Sequence, residues 1–93
     1  RGEIQVDQGA VGALRHRNRS LLPAGVTEVV GAFERGDIVA VLDASRAQIA
    51  CGITNYNSQD LAEIKGIRSD RIQELLGRQF GDEVVHRNNM VIL

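Results

Sequence analysis

The sequence predicts a small domain of mixed α/β class, mainly β, in which a barrel-like sheet carries short helices at its periphery. Short runs rich in β-branched residues outnumber the helical segments, and polar or glycine-containing turns separate them. Strand-like runs also stand at both ends of the chain, so the sheet can close on itself and remove its exposed edges. The 93 residues are enough for one domain and too few for two.

The composition is that of an ordinary folded domain, with 43% apolar and 25% charged residues. The net charge of −1 gives no general attraction for nucleic acid or for an anionic membrane. The single cysteine, Cys51, excludes an intrachain disulfide and a cysteine-based zinc site, which suits a reducing compartment. No apolar run approaches the roughly 20 residues of a membrane-spanning helix. We therefore expect a cytoplasmic protein with no membrane partner.

The first elements are a strand and a capped helix. Residues 2–6 place apolar side chains two apart, as a strand does, and Asp7 then offers a carboxylate as helix cap. Gly9 and Gly12 each cost a helix about 1 kcal/mol relative to alanine, so we expect backbone to pack closely against them. KH domains use the same Gly-x-x-Gly spacing to clamp nucleic acid, but in a loop between two helices. Close packing against the sheet is therefore the preferred interpretation.

A loop and two strands follow. Residues 15–25 predict a loop whose last turn uses Gly25 at positive φ. Residues 26–33 and 38–42 predict a β-hairpin, because the four residues between them are polar or glycine. The run 38–42 does not alternate apolar with polar residues, so we expect it to be buried on both faces.

The later strands are 49–54, 84–85 and 90–93, the last two separated by a polar turn at 86–89. In the strand 49–54, the side chains of Ile49, Cys51 and Ile53 are expected on one face. One core is expected, with contributions from Ile4, Val6, Val29, Phe33, Val39, Val41, Ile53 and Val91.

Two short helices lie between these strands. An aspartate follows Ser58 two residues later, at Asp60, and follows Ser69 directly, at Asp70. This pattern predicts that the two serines are helix N-caps. Gly66 and Gly77 stand where C-terminal glycines belong.

No catalytic motif is present in the sequence. There is no glycine-rich phosphate loop of the Walker type and no Gly-x-Ser-x-Gly elbow. His16 and His86 are the only histidines, and with one cysteine they do not make a metal set. Asp7, Asp60 and Asp70 already have capping roles. We therefore predict no catalytic residue, no metal site and no cofactor in this chain.

Residues 15–20 hold the one local concentration of positive charge. Arg15, Arg17 and Arg19 could bind phosphates from a flexible loop, and together with Gly25 they are the candidate RNA- or phosphate-binding residues. The alternative is a solvated helix end, where cations complement the negative pole of the helix dipole.

Few side chains are available to stack on bases. Phe33 and Phe80 lie in apolar contexts that predict core positions. Tyr56 stands between a strand and a helix cap, which predicts a half-buried ring with a hydrogen-bonded hydroxyl. Cys51 has no basic neighbour in sequence and is predicted to be an inert thiol.

Several segments of the chain together resemble the PUA domains of glutamate 5-kinases. The most specific are Ser-Leu-Leu-Pro-x-Gly-Val at 20–26 and His-Arg-x-Asn-Met at 86–90. Cys51 and Asn88 depart from the family, which often has a basic or polar residue at the first position and aspartate at the second. The likeness runs in order along the chain, through residues 6–10, 20–26, 31–37, 49–52, 55–58 and 85–91.

The resemblance implies a PUA fold, a pseudo-barrel of mixed strands with helices at its ends. It also implies that residues 1–93 are one C-terminal PUA domain of a longer chain, an expectation that the missing initiator methionine supports. The implied parent transfers the γ-phosphoryl group of ATP to the side-chain carboxylate of L-glutamate, in proline biosynthesis. Its preceding amino acid kinase domain would bind Mg-ATP, glutamate and the feedback inhibitor proline. That domain would be the main partner of this one, and the parent would be a homo-oligomer.

Two functions remain open at this point. The chain is either a non-catalytic accessory module of a metabolic kinase or an RNA-binding module. PUA domains of pseudouridine synthases and archaeosine transglycosylases bind RNA through the first helix and the following loop, which correspond here to residues 15–19 and 22–25. The near-neutral charge and the scarcity of exposed aromatic residues favour the accessory role.

Overall fold

A computed structural model describes residues 2–93, which form one five-stranded sheet with three short α-helices around it. The strands are β1 (Gly2–Val6), β2 (Val26–Val30), β3 (Ile38–Leu42), β4 (Gln48–Thr54) and β5 (Val85–Ile92). The helices are α1 (Gln8–His16), α2 (Ser58–Ile64) and α3 (Ile72–Leu76), with single 3₁₀ turns at Pro23–Gly25 and Ser69–Arg71. The predicted class, mainly β with peripheral helices, is confirmed. Within residues 2–93, no helix has the length and apolar character needed to cross a bilayer.

The strand order is β2-β1-β3-β4-β5, so the predicted hairpin between β2 and β3 is wrong. β1 lies between them, antiparallel to β2 and parallel to β3. In this arrangement the buried side chain of Ile4 is level with both Val29 and Val41. This register places apolar residues on one face of the sheet. The polar turn at residues 34–37 carries no information about the insertion of β1 between the two strands. β2 also ends earlier than predicted, because Gly31 turns the chain at φ 84°.

Closure of the sheet depends on a short bridge between Leu21 and the start of β5. The Leu21 N–H donates to the Val85 carbonyl at 2.9 Å, and the Val84 N–H donates to the Leu21 carbonyl at 2.7 Å. The segment before β2 therefore meets the far edge of the sheet and makes a pseudo-barrel. The first and last strands lie in the same sheet, as predicted.

The carboxyl-terminal strand is continuous, and the predicted pair of short strands around residues 86–89 is wrong. The pairing register between β4 and β5 shifts between Gly52 and Thr54, where β5 has additional residues. A Cβ atom at Gly52 would lie 2.7 Å from the Asn89 carbonyl oxygen. The polar run therefore forms an irregularity inside one strand, and glycine makes room for it.

The core lies inside the curved sheet, and it contains the predicted Ile4, Val6, Phe33, Val39 and Val41, with Val29 partly buried against it. Two predicted core residues are exposed instead, Ile53 by 39% and Val91 by 61%. β3 is likewise not buried on both faces, since Ile38 is 67% exposed. The cause is the pleat, which sends alternate side chains to the outer side of the sheet.

The face of β4 that lies against the core is the opposite of the one predicted to hold Cys51 and Ile53. Its buried alternate positions are Ala50, Gly52 and Thr54, whereas Cys51 is only half-buried and Ile53 is exposed. Ile49 is buried too, next to the buried Ala50, so it does not follow this alternation. The reason is a register shift at this point, where β3 meets the start of β4.

Helix caps follow the sequence in part. Asp7 caps α1 as predicted, since its Oδ1 accepts the Ala10 N–H at 2.8 Å. The cap of α2 is Asn57, whose Oδ1 accepts the Asp60 N–H at 2.7 Å. The predicted cap, Ser58, is the first helical residue instead.

The second predicted serine cap is also wrong. Ser69 heads a 3₁₀ turn, and its hydroxyl donates to the Asp82 carbonyl at 3.1 Å rather than capping a helix. The two C-terminal glycines are confirmed, because Gly66 and Gly77 have φ of 76° and 74°.

Tyr56 is fully buried rather than half-buried. Its hydroxyl donates to the Gly81 carbonyl at 2.6 Å and accepts the Phe80 N–H at 3.0 Å, so the predicted hydrogen bonding is confirmed. Burial raises the pKa of the Tyr56 hydroxyl above its usual value. Phe80, predicted as core, is 36% exposed, and the Arg35 guanidinium lies 4.2 Å from its ring centroid.

Candidate functional site

A groove of about 610 Å³ lies between α1, the Pro23–Gly25 turn and the start of β5. Both apolar and charged side chains line it, which is the usual character of a binding site. The lining residues are Asp7, Ala10, Ala13, Leu14, Arg19, Ser20, Leu21, Leu22, Ala24, Gly25, Glu83, His86 and Arg87.

Gly25 determines how closely the turn approaches α1. A Cβ atom on Gly25 would lie 2.8 Å from the Cβ of Ala10, and the Asp7 N–H donates to the Gly25 carbonyl at 3.0 Å. The predicted positive φ is wrong, since Gly25 is not among the residues with a left-handed backbone. Glycine is needed here for space rather than for conformation.

The Gly9 and Gly12 pair lies inside α1 and not in a loop, unlike the clamp of KH domains. A Cβ on Gly9 would come no closer than 3.5 Å to the Asp7 carboxylate, and a Cβ on Gly12 would meet nothing within 4 Å. The predicted close packing at these two glycines is therefore wrong. The close approach to this helix occurs through Gly25 instead.

The three candidate arginines are all exposed, but they do not form one cluster. Arg15 lies in the last turn of α1, and Arg17 is its C-cap residue. Arg19 lies after the helix on the wall of the groove, where Gly25 also lies. The structure therefore brings Arg19 and Gly25 together and leaves Arg15 and Arg17 outside the groove. The predicted loop is also shorter, because α1 continues to His16.

Arg87 and His86 are groove residues that the sequence did not identify as binding residues. The Arg87 N–H donates to the Ser20 hydroxyl at 2.9 Å, and its Nη1 donates to the Asn18 carbonyl at 3.3 Å. His86 Nδ1 accepts the Asn88 N–H at 3.1 Å, a bond between residues close in sequence. No sequence signal brings Arg87 to α1, because the contact depends on how β5 joins the sheet.

The groove wall carries the basic side chains of Arg19 and Arg87 together with the carboxylates of Asp7 and Glu83. Arginine guanidinium groups bind phosphate or carboxylate oxygens through several N–H donors. The ion pairs of residues 2–93 leave Arg15, Arg17, Arg19 and Arg87 without a carboxylate, since they use Arg46, Lys65, Arg68, Arg71 and Arg78. Among residues 2–93, no three histidine, cysteine, aspartate or glutamate side chains are placed to hold a metal ion.

Comparison with known proteins gives a consistent set of relatives. The PUA domain family matches residues 2–76. The glutamate 5-kinase of Shewanella pealeana is 46% identical over 93 residues, which are 100% of this chain and 25% of that protein. The glutamate 5-kinase of Dehalococcoides mccartyi is 48% identical over 93 residues, again 100% of this chain and 25% of that protein.

A solved structure agrees with the fold. A PUA domain protein of Aeropyrum pernix, crystallised as a tartrate complex, superimposes with a TM-score of 0.66 at 30% identity, over 91% of this chain and 41% of that chain. The chain spans about a quarter of the length of the glutamate 5-kinases it matches. Because the family match runs from β1 to α3 in the order that the structure shows, the chain belongs to the PUA domain family.

Proposed function

We propose that the chain is the C-terminal accessory domain of a glutamate 5-kinase and that it contributes no group to the active site. The observation that supports the proposal is its 46% identity to a glutamate 5-kinase over the whole chain but only 25% of that protein. The rest of such a protein would be an amino acid kinase domain that binds Mg-ATP and L-glutamate in the cytoplasm. There the γ-phosphoryl group of ATP would pass to the side-chain carboxylate of glutamate, for proline biosynthesis.

The proposed role of this domain is regulatory. Phosphoryl transfer requires Mg²⁺, groups that cradle the phosphates, and aligned reactants, all of which we assign to the kinase domain. A domain attached to it can bias the contacts between subunits of a homo-oligomer, and a regulatory ligand can act on the same contacts. Removal of this domain should therefore change the oligomeric state, the metal dependence or the response to proline more than the chemistry.

Steady-state kinetics and sizing of the full-length enzyme and of a truncation lacking residues 1–93 test the proposal. The truncation should keep kcat within about tenfold, since about 1.4 kcal/mol is a plausible cost of repositioning at a distance. The isolated domain should show no glutamate kinase activity. A soluble, folded truncation that loses more than about a thousandfold in kcat would instead place part of the active site in this domain.

RNA binding is the second candidate function, and the groove favours it through one observation. Arg19 and Gly25 line the same groove as Arg87, and neither arginine has a carboxylate partner among the described residues. Arg15 and Arg17 lie at the adjacent helix end and would extend the contact to further phosphates.

Binding of single-stranded RNA across a range of salt concentrations tests this function. We expect a Kd no tighter than about 100 μM at physiological salt, with a slope near −0.7 per phosphate contact. Arg19→Gln should weaken this binding. Arg71→Gln, whose parent residue is paired with Glu74 on the surface, should not. Submicromolar binding that depends on Arg15, Arg17 or Arg19 would make RNA recognition the primary function.

A further inference from the structure

The outer side of β3, β4 and β5 presents a continuous apolar surface, here named the outer face. Its members pair across the strands: Ile38 is opposite Ile53, Ala40 is opposite Cys51, and Cys51 is opposite Val91. None of them is charged, and three are large apolar residues with exposures of 67% for Ile38, 39% for Ile53 and 61% for Val91. Isolated exposed apolar residues are common, but a contiguous group marks an interaction surface.

The sequence of β3 gives an independent indication. Residues 38–42 are apolar without alternation, a pattern typical of strands buried on both faces. In the structure Val39 and Val41 of the inner face are buried in the core. On the outer face Leu42 is buried as well, but Ala40 is half-buried and Ile38 is exposed. The amino-terminal half of this strand is therefore apolar on an outer side that residues 2–93 leave uncovered at Ile38.

We infer that the outer face is covered by the kinase domain that precedes this domain in the same polypeptide. This inference rests on the proposed function. The chain spans 25% of the length of related glutamate 5-kinases, so a large part of such a protein lies outside the structure. The occupant is thus a part of the same polypeptide, and its tether gives it a high effective concentration.

The position of β1 places that tether beside the outer face. β1 and β3 are parallel, and Gly2 is level with Val39, the residue after Ile38. The connection to a domain attached at the amino end of β1 would therefore lie next to Ile38 and Ile53, at one end of the outer face.

The neighbouring strands supply the polar border that interfaces have around an apolar centre. On β1, Glu3 is opposite Ala40 of the outer face and pairs with Arg46 at 2.6 Å. On β2, Glu28 pairs with Lys65 at 3.7 Å. These charges remain solvated when the apolar centre is covered, so the interface would end at β1.

Alkylation of Cys51 in the full-length enzyme tests the inference, because this half-buried thiol lies in the centre of the outer face. The rate is measured with iodoacetamide by mass spectrometry of the peptide that contains Cys51. A charge at Ile38 should open the interface, so Ile38→Lys should raise the rate about tenfold or more. Ile38→Thr keeps a β-branched side chain, and it should raise the rate in the same direction if the lysine variant does not fold.

Leu75→Lys is the matched control, because Leu75 is an apolar residue of α3 that is 42% exposed and outside the outer face. This variant should alkylate at the wild-type rate. Equal, rapid alkylation of the wild type and of both Ile38 variants would show an open face and overturn the inference. Protection that disappears on dilution, together with a smaller oligomer, would assign the face to a second copy and also overturn it.

Glutamate kinase activity of the same preparations separates this inference from the function on which it rests. A full-length protein without that activity would contradict the proposed function, whatever the alkylation rates. An active enzyme with an open Cys51 would contradict only the docking of the kinase domain on the outer face.

Discussion

Arg78 donates from its Nη2 to both carboxylate oxygens of Asp60, at 2.6 and 2.8 Å. Asp60 lies in the first turn of α2 with its side chain 9% exposed, whereas the Arg78 side chain is half-exposed. The pair joins α2 to the segment that follows α3, and it satisfies a carboxylate that would otherwise be buried without a partner.

Removal of the Arg78 guanidinium should destabilise the fold. Arg78→Met leaves the Asp60 carboxylate buried without its charged donor, which should lower the free energy of unfolding by about 2–3 kcal/mol. Arg68→Met is the control, because Arg68 and Asp70 form an exposed pair worth at most about 0.5 kcal/mol. Urea unfolding followed by circular dichroism measures both values. Equal, small losses would show that the Asp60 pair contributes no more than an exposed one.

Tyr56→Phe should also cost stability, without creating a cavity. The substitution removes the hydroxyl that accepts from the Phe80 N–H and donates to the Gly81 carbonyl. Two backbone groups then lose a partner, so unfolding free energy should fall by about 1–2 kcal/mol. Urea unfolding with an unchanged m-value would attribute the loss to the native state. A stability equal to that of the wild type would mean that water replaces the hydroxyl at no cost.

Stability should fall at alkaline pH through the same hydroxyl. Burial raises the pKa of Tyr56 in the folded state above its ordinary value of 10.0. The contribution of the protonated hydroxyl to the free energy of unfolding is therefore complete below the pKa of the unfolded state. It is lost as the pH rises through the pKa of the folded state. Melting temperatures between about pH 9 and about pH 11 should fall less steeply for Tyr56→Phe than for the wild type.

Tyrosinate absorbance offers a direct check of that pKa. The chain has one tyrosine and no tryptophan, so the absorbance change reports Tyr56 alone. Titration of the folded domain should give a midpoint above that of the domain in denaturant. Coincident midpoints would contradict the predicted effect of burial.

Two glycines near the groove should respond to alanine in opposite directions. Gly25→Ala places a Cβ 2.8 Å from the Ala10 Cβ, and the resulting overpacking should cost about 1–3 kcal/mol. Gly12→Ala lies within α1 with nothing inside 4 Å, so it should stabilise the helix by about 0.5–1 kcal/mol. Thermal unfolding of the two variants gives the comparison. Similar changes in the stability of both variants would mean that the Pro23–Gly25 turn moves away from α1 without cost.

The candidate site was predictable only in part. Arg19 and Gly25 belong to one short stretch of sequence, and the structure places both on the groove. Arg87 was missed because its contact with Asn18 joins residues 69 positions apart. Local charge patterns identify residues that are neighbours in sequence, whereas a groove between a helix and a distant strand depends on the sheet.

Several elements of the fold follow from local interactions and were predictable from the amino-acid sequence. The bounds of β1 and β3, the Asp7 cap and the left-handed Gly77 depend on residues within about one helical turn or strand. Neighbouring side chains and backbone groups supply most of the free energy for these choices, so the chain's order of residues is sufficient to predict them.

The pairing of the strands and the burial of their faces depend on long-range contacts that the sequence pattern does not show. The insertion of β1 between β2 and β3 exchanges a local hairpin for a long-range parallel pair, and the outward position of Ile53 and Val91 follows from the resulting registers. An apolar residue in a strand does not show which face of the sheet will be buried, because burial depends on what packs against each face of the completed sheet.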